Sequence, residues 1–278
     1  MEHDDIELGR VLTRREALAA LGVGGGALAA GRWVLGTGAD EALAAEVEGI
    51  ARTLPACVAK PEQTEGPFFV DAGLERSDIR SDPSTGAVSE GAPLTLRFNL
   101  SRISGGNCSA LPGALIDVWQ CDADGVYSGV EDDGAPAEAR ERHFLRGYQH
   151  TDEDGLAHFT TVYPGWYRGR AVHVHFKVRT DVAGQPYEFT SQLYFDEALT
   201  DRVHAQAPYA ARGRRPVTNA DDGIFRRDGG ESLMAQVSET DDGYVAAFDL
   251  GLDLTDADTG RPDGYRGGRR SPGRTELD

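Results

Sequence analysis

An all-β sandwich with long irregular loops and little helix is the fold class this sequence predicts. Asp-Gly turns recur roughly every dozen residues, apolar residues come in short alternating runs, and no stretch sustains a 3.6-residue period. Gly 35 and Pro 13 in 278 residues lean the same way. The length suits one sizeable domain with extensions.

Residues 1–44 read as a targeting segment and stay outside the fold argument. Thr13-Arg14-Arg15-Glu16-Ala17-Leu18 leads into an uncharged Ala/Gly/Leu/Val run ending at Ala30, shorter than the about 20 residues a membrane helix needs. Small-residue cleavage patterns follow at Ala27-Leu28-Ala29 and Ala42-Leu43-Ala44, and the second is preferred because Arg32 and Trp33 would otherwise head the mature chain. An arginine pair before a weakly apolar, Gly-rich run resembles a twin-arginine export signal. The expectation is therefore a chain exported folded by the twin-arginine machinery, extracellular or in the cell envelope, with no stable membrane insertion after signal removal. Ala17 stands where a bulky apolar residue is usual, and Glu2, Asp4, Asp5 and Glu7 make the extreme N-terminus acidic. The net charge of -18 leaves 39 acidic against 24 basic side chains after residue 44, which disfavours nucleic acid and anionic membranes as partners.

A sandwich domain is expected over residues 45–254 and a disordered polar tail over 255–278. Lys60-Pro61-Glu62-Gln63-Thr64-Glu65-Gly66-Pro67-Phe68-Phe69 must be irregular, and a loop so constrained suits the wall of a site. Residues 76–91 read as polar connection. Strands are expected from Pro93, over Leu115 to Gln120, Phe144 to Gln149, Leu156 to Val162, Ala171 to Arg179, Tyr187 to Phe195 and Gly243 to Leu254. Gly105 to Cys108 reads as a turn, Asp152-Glu153-Asp154-Gly155 as a hairpin turn, and Glu197 to His204 as a short helix. Cys108 and Cys121 flank what reads as a single strand and, if it is extended, cannot bond, so a disulfide would join Cys57 to one or the other; the alternative is three buried free thiols.

Tyr163 to Lys177 is the chemically densest stretch. Val172, Val174, Phe176 and Val178 alternate with His173, His175 and Lys177, so the two imidazoles share a strand face and can converge on one metal ion. Inside the strand there is no carboxylate for a two-His-one-carboxylate Fe(II) site and no Cys for structural zinc; tyrosines lie nearby instead. A hard trivalent cation favours the phenolate, so two phenolates with two imidazoles would suit Fe(III).

Several separate motifs, in order, carry a resemblance. They are Pro61-Glu62-Gln63-Thr64-Glu65-Gly66-Pro67, Asp117-Val118-Trp119-Gln120 running to Gly125-Val126-Tyr127-Ser128, Pro164-Gly165-Trp166-Tyr167, Arg170-Ala171-Val172-His173-Val174-His175, and Thr190-Ser191-Gln192-Leu193-Tyr194-Phe195. Together, over roughly residues 57 to 228, the chain resembles the intradiol ring-cleavage dioxygenases. The resemblance implies one mononuclear non-haem Fe(III) held by Tyr127, Tyr167, His173 and His175, with Tyr167 and His173 axial. It implies Arg170, Gln192 and Tyr167 as catalytic residues, Tyr167 as proton acceptor, and Gly66, Pro67 and Trp166 lining the pocket. The implied partners are a small catecholic aromatic and O2, and the implied product is a cis,cis-muconate-type diacid. Arg170 lies three residues before His173, on the wrong face of a regular strand, so a turn or bulge must redirect it. The segment from Ala45 to Gly91 is too short and polar for the helical domain that makes the dimer of catechol-type members, which leaves a homo-oligomer open. A rival is a non-catalytic transthyretin-like sandwich used in binding; it accounts for the turns and the Pro-Gly-aromatic corner but has no need of His173, His175 and Gln192 together.

Overall fold

The protein, as a computed structural model, is described over residues 58–105, 107–131 and 136–255. The leader expected over 1–44, and the tail beyond residue 255, lie outside those residues. Alternating apolar runs fold into two packed sheets. The first holds β1 (Pro93–Ser104), β2 (Asn107–Ala110), β5 (Leu156–Val162), β8 (Gln236–Thr240) and β9 (Gly243–Asp253); the second holds β3 (Leu115–Trp119), β4 (Arg146–His150), β6 (His173–Val182) and β7 (Gln185–Tyr194), in the order β4-β3-β6-β7. Helix is confined to α1 (Glu197–His204), α2 (Gly223–Arg227) and three short 3-10 turns among the described residues.

β1 is the spine of the first sheet. It pairs in parallel with β9 along one edge, and antiparallel with β5 and then β2 along the other. Leu94, Leu96, Phe98 and Leu100 point inward from it, as the period-2 pattern requires. They meet Val174, Phe176 and Val178 of β6, and the rings of Phe98, Phe176 and Phe248 lie 5.3 to 6.0 Å apart at the centre. Tilted and edge-on rings at this spacing add specific attraction to the burial of large apolar area.

Three local expectations are corrected, and one strand, β8, was not foreseen. Asp152 to Gly155 is a turn but not a hairpin, because β4 pairs with β3 while β5 pairs with β1, so the turn carries the chain from one sheet to the other. Turn chemistry fixes a reversal; which strand receives the next segment is decided by long-range packing. β1 runs on to Ser104 and forms a hairpin with β2, where only a turn was expected. The edge strand β8 is largely exposed, and its Gln-Val-Ser-Glu-Thr sequence shows no apolar alternation to read. Residues 76–91 are more than connection: Ile79 is fully buried, and Arg76 donates to the carbonyls of Arg146, His143 and Ser81, strapping the segment to β4.

The Asp122 turn and the Pro164-Gly165 corner are stitched together. Asp122 Oδ1 accepts from the backbone of Asp124 and Val126 at 2.9 Å each, and Gly165 N donates to the Asp122 carbonyl at 3.0 Å. Cys121 is a free, buried thiol beside this contact, and Cys108 is disulfide-bonded; Cys57 lies outside the described residues.

Candidate metal centre and active site

The candidate site lies on the face of the second sheet turned away from the sandwich core. Register places Arg146, Trp119, His175 and Gln192 in one row across its four strands, with His173 opposite Tyr194 one step along. Loops cover this face, so His173 to Val178 are buried on both sides of the strand. The Lys60 to Phe69 loop is sewn onto β7: Gln63 N donates to Thr190 O, Ser191 Oγ to Pro61 O at 2.9 Å, and Gln192 Nε2 to Thr64 O at 2.9 Å.

All four of the expected ligands come together. His173 Nε2 and His175 Nε2 are 3.0 Å apart, and Tyr167 Oη is 3.3 Å from His173 Nε2. The Tyr127 ring lies 5.5 Å from that of Tyr167 and 6.2 Å from that of His175. Tyr163, the alternative within the same stretch, faces elsewhere and bonds Thr200 Oγ1 at 2.8 Å in the core.

The arrangement fits a cation. His173 Nδ1 donates to the Ala171 carbonyl at 2.7 Å, which leaves its Nε2 lone pair facing the centre. Burial, with the neighbouring Arg170 charge, pushes His173 down to about 3 and, with the adjacent imidazole, pushes His175 well below its usual range, so both rings are neutral. Burial drives the Tyr127 phenol far above its usual range and Tyr167 up to about 12, so neither phenolate forms unaided. Tyr127 Oη is fully buried without a hydrogen-bond partner, which is costly unless something else satisfies it. Among the described residues, no group of three or more His, Cys, Asp or Glu is placed to hold a metal, so a cation here needs the phenols.

Arg170 reaches the centre because β6 starts only at His173. The turn at Arg168 and Gly169 precedes it, which is the redirection the sequence demanded. Its Nη1 lies 3.4 Å from both Tyr167 Oη and His173 Nε2, and its Nη2 donates to Gln192 Oε1 at 2.5 Å and Tyr194 Oη at 3.3 Å. Gly66, with φ of +74°, passes close to His175: a Cβ there would lie 3.5 Å from the imidazole Cε1. Pro67 is exposed next to it, and Trp166 is half-buried with its ring 4.1 Å beneath the Arg212 guanidinium.

Several contributors escaped the sequence reading. Phe68 stacks on Tyr127 at 4.4 Å, and Trp119 stacks on His175 at 4.9 Å with an interplanar angle of 8°. Trp119 was within a quoted motif and Phe68 within the constrained loop, so position was legible while contact was not. Arg146, in the same row as Trp119 and His175, is buried against Ser128, to whose carbonyl its Nε donates at 2.9 Å.

Comparison with known proteins gives this centre a family. Residues 64–215 match the family described as Dioxygenase, more than half of the chain. The chlorocatechol 1,2-dioxygenase of Pseudomonas putida is 29% identical over a 150-residue alignment that covers 48% of this chain and 52% of that protein. Catechol 1,2-dioxygenase 1 of Acinetobacter lwoffii is 27% identical over a 146-residue alignment that covers 44% of this chain and 43% of that one. An intradiol ring-cleavage dioxygenase of Tetranychus urticae has a solved structure that superposes with a TM-score of 0.61 at 29% identity, covering 72% of this chain and 97% of that one. The chain belongs to the intradiol ring-cleavage dioxygenases. It spans about half the length of the curated relatives it matches.

Proposed function

We propose that this chain is a non-haem Fe(III) enzyme that cleaves the ring of catecholic aromatics between the two hydroxyl-bearing carbons, placing both atoms of O2 in a cis,cis-muconate-type diacid. The observation that carries the proposal is the convergence of Tyr127, Tyr167, His173 and His175 on one buried point, with no other partner for Tyr127 Oη. These four would hold the iron. Bound there, Fe(III) supplies the Lewis-acid charge that ionises phenols and makes the ring of a chelated catechol open to O2.

The chain's own groups divide the remaining work. Tyr167, the most open of the four, would take a proton from a catechol hydroxyl on its oxygen. The Arg170 guanidinium, beside that oxygen, stabilises negative charge developing on the substrate in a site that loops shield from water. Gln192 is fixed by Thr64 and Arg170 and orients the guanidinium from below. Gly66 keeps the wall beside His175 thin, leaving room for a flat ring, with Pro67 at the same loop's surface.

Purified protein is expected to carry about one iron per chain, to show a phenolate-to-iron charge-transfer colour that changes on adding catechol, and to take up O2. A preparation still colourless after iron reconstitution, or one that takes up no O2 across a panel of catechols, sinks this reading.

The proposal includes export. Arg14 and Arg15 before the uncharged run support it, although they lie outside the described residues. Replacing both arginines with lysine is expected to hold iron-loaded protein in the cytoplasm, measured by fractionation; equal amounts of variant and parent outside the cell would remove the twin-arginine route.

A further inference from the structure

We infer that Asp222 is a positioning residue that clamps Arg170 in its working orientation, an inference that rests on the function proposed above. Asp222 stands at the head of α2, beyond residue 215 where the family match ends, and its side chain is 0% exposed. All four lone-pair directions of its carboxylate are used. Oδ1 accepts from Ile224 N at 2.7 Å and Phe225 N at 3.2 Å, capping α2. Oδ2 accepts from Arg170 Nε at 2.8 Å and from Ala171 N at 2.9 Å.

One oxygen therefore holds both the side chain of Arg170 and the backbone immediately after it. A guanidinium has five N–H groups in a rigid planar fork, so fixing some of them fixes the direction of the rest. Nε–H goes to Asp222, and Nη2 goes to Gln192 and Tyr194. The Nη1 hydrogens are left, and they face Tyr167 Oη and His173 Nε2 at 3.4 Å. Those two contacts are too long to orient the group themselves. Asp222, pulling on the far side of the fork, sets where Nη1 points. It also balances a cation that would otherwise be half-buried next to a second, metal-borne positive charge.

The sequence around Arg170 needs this help. Arg170 sits on a turn rather than within the hydrogen-bonded ladder of β6, and Gly169 before it has φ of +85° with open space around it. A flexible turn places a side chain loosely unless something outside the turn holds it.

Asp222→Ser tests the clamp while sparing the helix. Serine is a good N-cap and can still serve Ile224 N or Phe225 N, but it is too short to hold the Arg170 guanidinium. The expected result is a lowered Tm, because the variant leaves the Arg170 charge and Ala171 N without their buried partner, with unchanged iron content and colour in the folded protein, KM within about threefold, and kcat lower by about 10-fold or more, the usual cost of losing an outer-shell partner. A second arm needs neither iron nor turnover. In the iron-free parent, the Arg170 Nε–H resonance, assigned by its loss in Arg170→Lys, is expected to be protected from solvent exchange, and in Asp222→Ser that protection is expected to disappear. Parent-like kcat in Asp222→Ser overturns the inference, as does an Nε–H that exchanges freely in the parent or stays protected in the variant. Should the serine variant fail to fold, the exchange rate in the parent decides alone. A parent with no colour and no O2 uptake would defeat the proposed function and leave the exchange arm standing; normal turnover in both proteins defeats only the clamp.

Discussion

Alanine at His175 is expected to strip the iron and the colour together and to lower kcat/KM by more than about 100-fold, since even outer-shell partners of metal ligands cost up to that much. His175 is 1% exposed, its ring is held flat against Trp119, and its Nε2 is 3.0 Å from that of His173. The substitution removes a donor and opens a hole beside a tryptophan, so some loss of stability is built in. Tyr127→Phe separates the two effects. The Tyr127 hydroxyl has no hydrogen-bond partner, so removing it from the iron-free protein should leave Tm unchanged or raise it, since a buried unsatisfied group is lost at no cost in contacts. The same substitution should weaken iron binding and shift the visible band. Iron content measured against Tm for the two variants is the check. A Tyr127→Phe protein that binds iron with the parent's affinity and spectrum would take Tyr127 out of the ligand set, and a His175→Ala protein with full colour would undo the centre as drawn.

The parts of this site legible in the sequence are those governed by local geometry. Alternation alone put His173 and His175 on one face, because a strand has no other way to arrange residues two apart. The choice of Tyr127 and Tyr167 over Tyr163 was not local: it came from the resemblance, and the structure shows why spacing could not supply it. Tyr163 turns into the core to meet Thr200 on α1, a contact across 37 residues. Asp222 was invisible for a related reason. It lies in a stretch rich in Arg, Ala and Pro with no period to read, and its role depends on a segment 52 residues upstream in sequence. Strand existence was readable through most of the chain, but strand partnership was not. The Asp152 turn looked like a hairpin because an Asp-Gly turn reverses the chain equally well within a sheet or between sheets.

The join between the Tyr127 turn and the Tyr167 corner is where fold and site depend on each other most directly, and Gly125→Ala is expected to break it. Gly125 has φ of +75°, and a Cβ there would lie 2.2 Å from the Trp166 carbonyl oxygen, a backbone atom that cannot swing aside. Two costs add. A left-handed conformation costs a non-glycine residue about 1–2 kcal/mol, and forcing atoms into a packed contact adds about 1–3 kcal/mol. For a domain of this size that is a fall in Tm of at least about 5 °C. Relief of the clash can come only by moving the Asp122 turn away from Trp166, which separates Tyr127 from Tyr167 and should bleach the charge-transfer band in whatever protein remains folded. Gly169→Ala is the matched control. Its φ is +85°, but nothing lies within 4 Å of the added Cβ, so it carries the conformational cost without the collision. Thermal melts and iron spectra of the pair should therefore show a large Tm loss with a bleached band for Gly125→Ala, and a small loss with the band retained for Gly169→Ala. Equal effects in the two variants would mean that backbone strain, rather than the packing of one turn on the other, sets the distance between the two phenols.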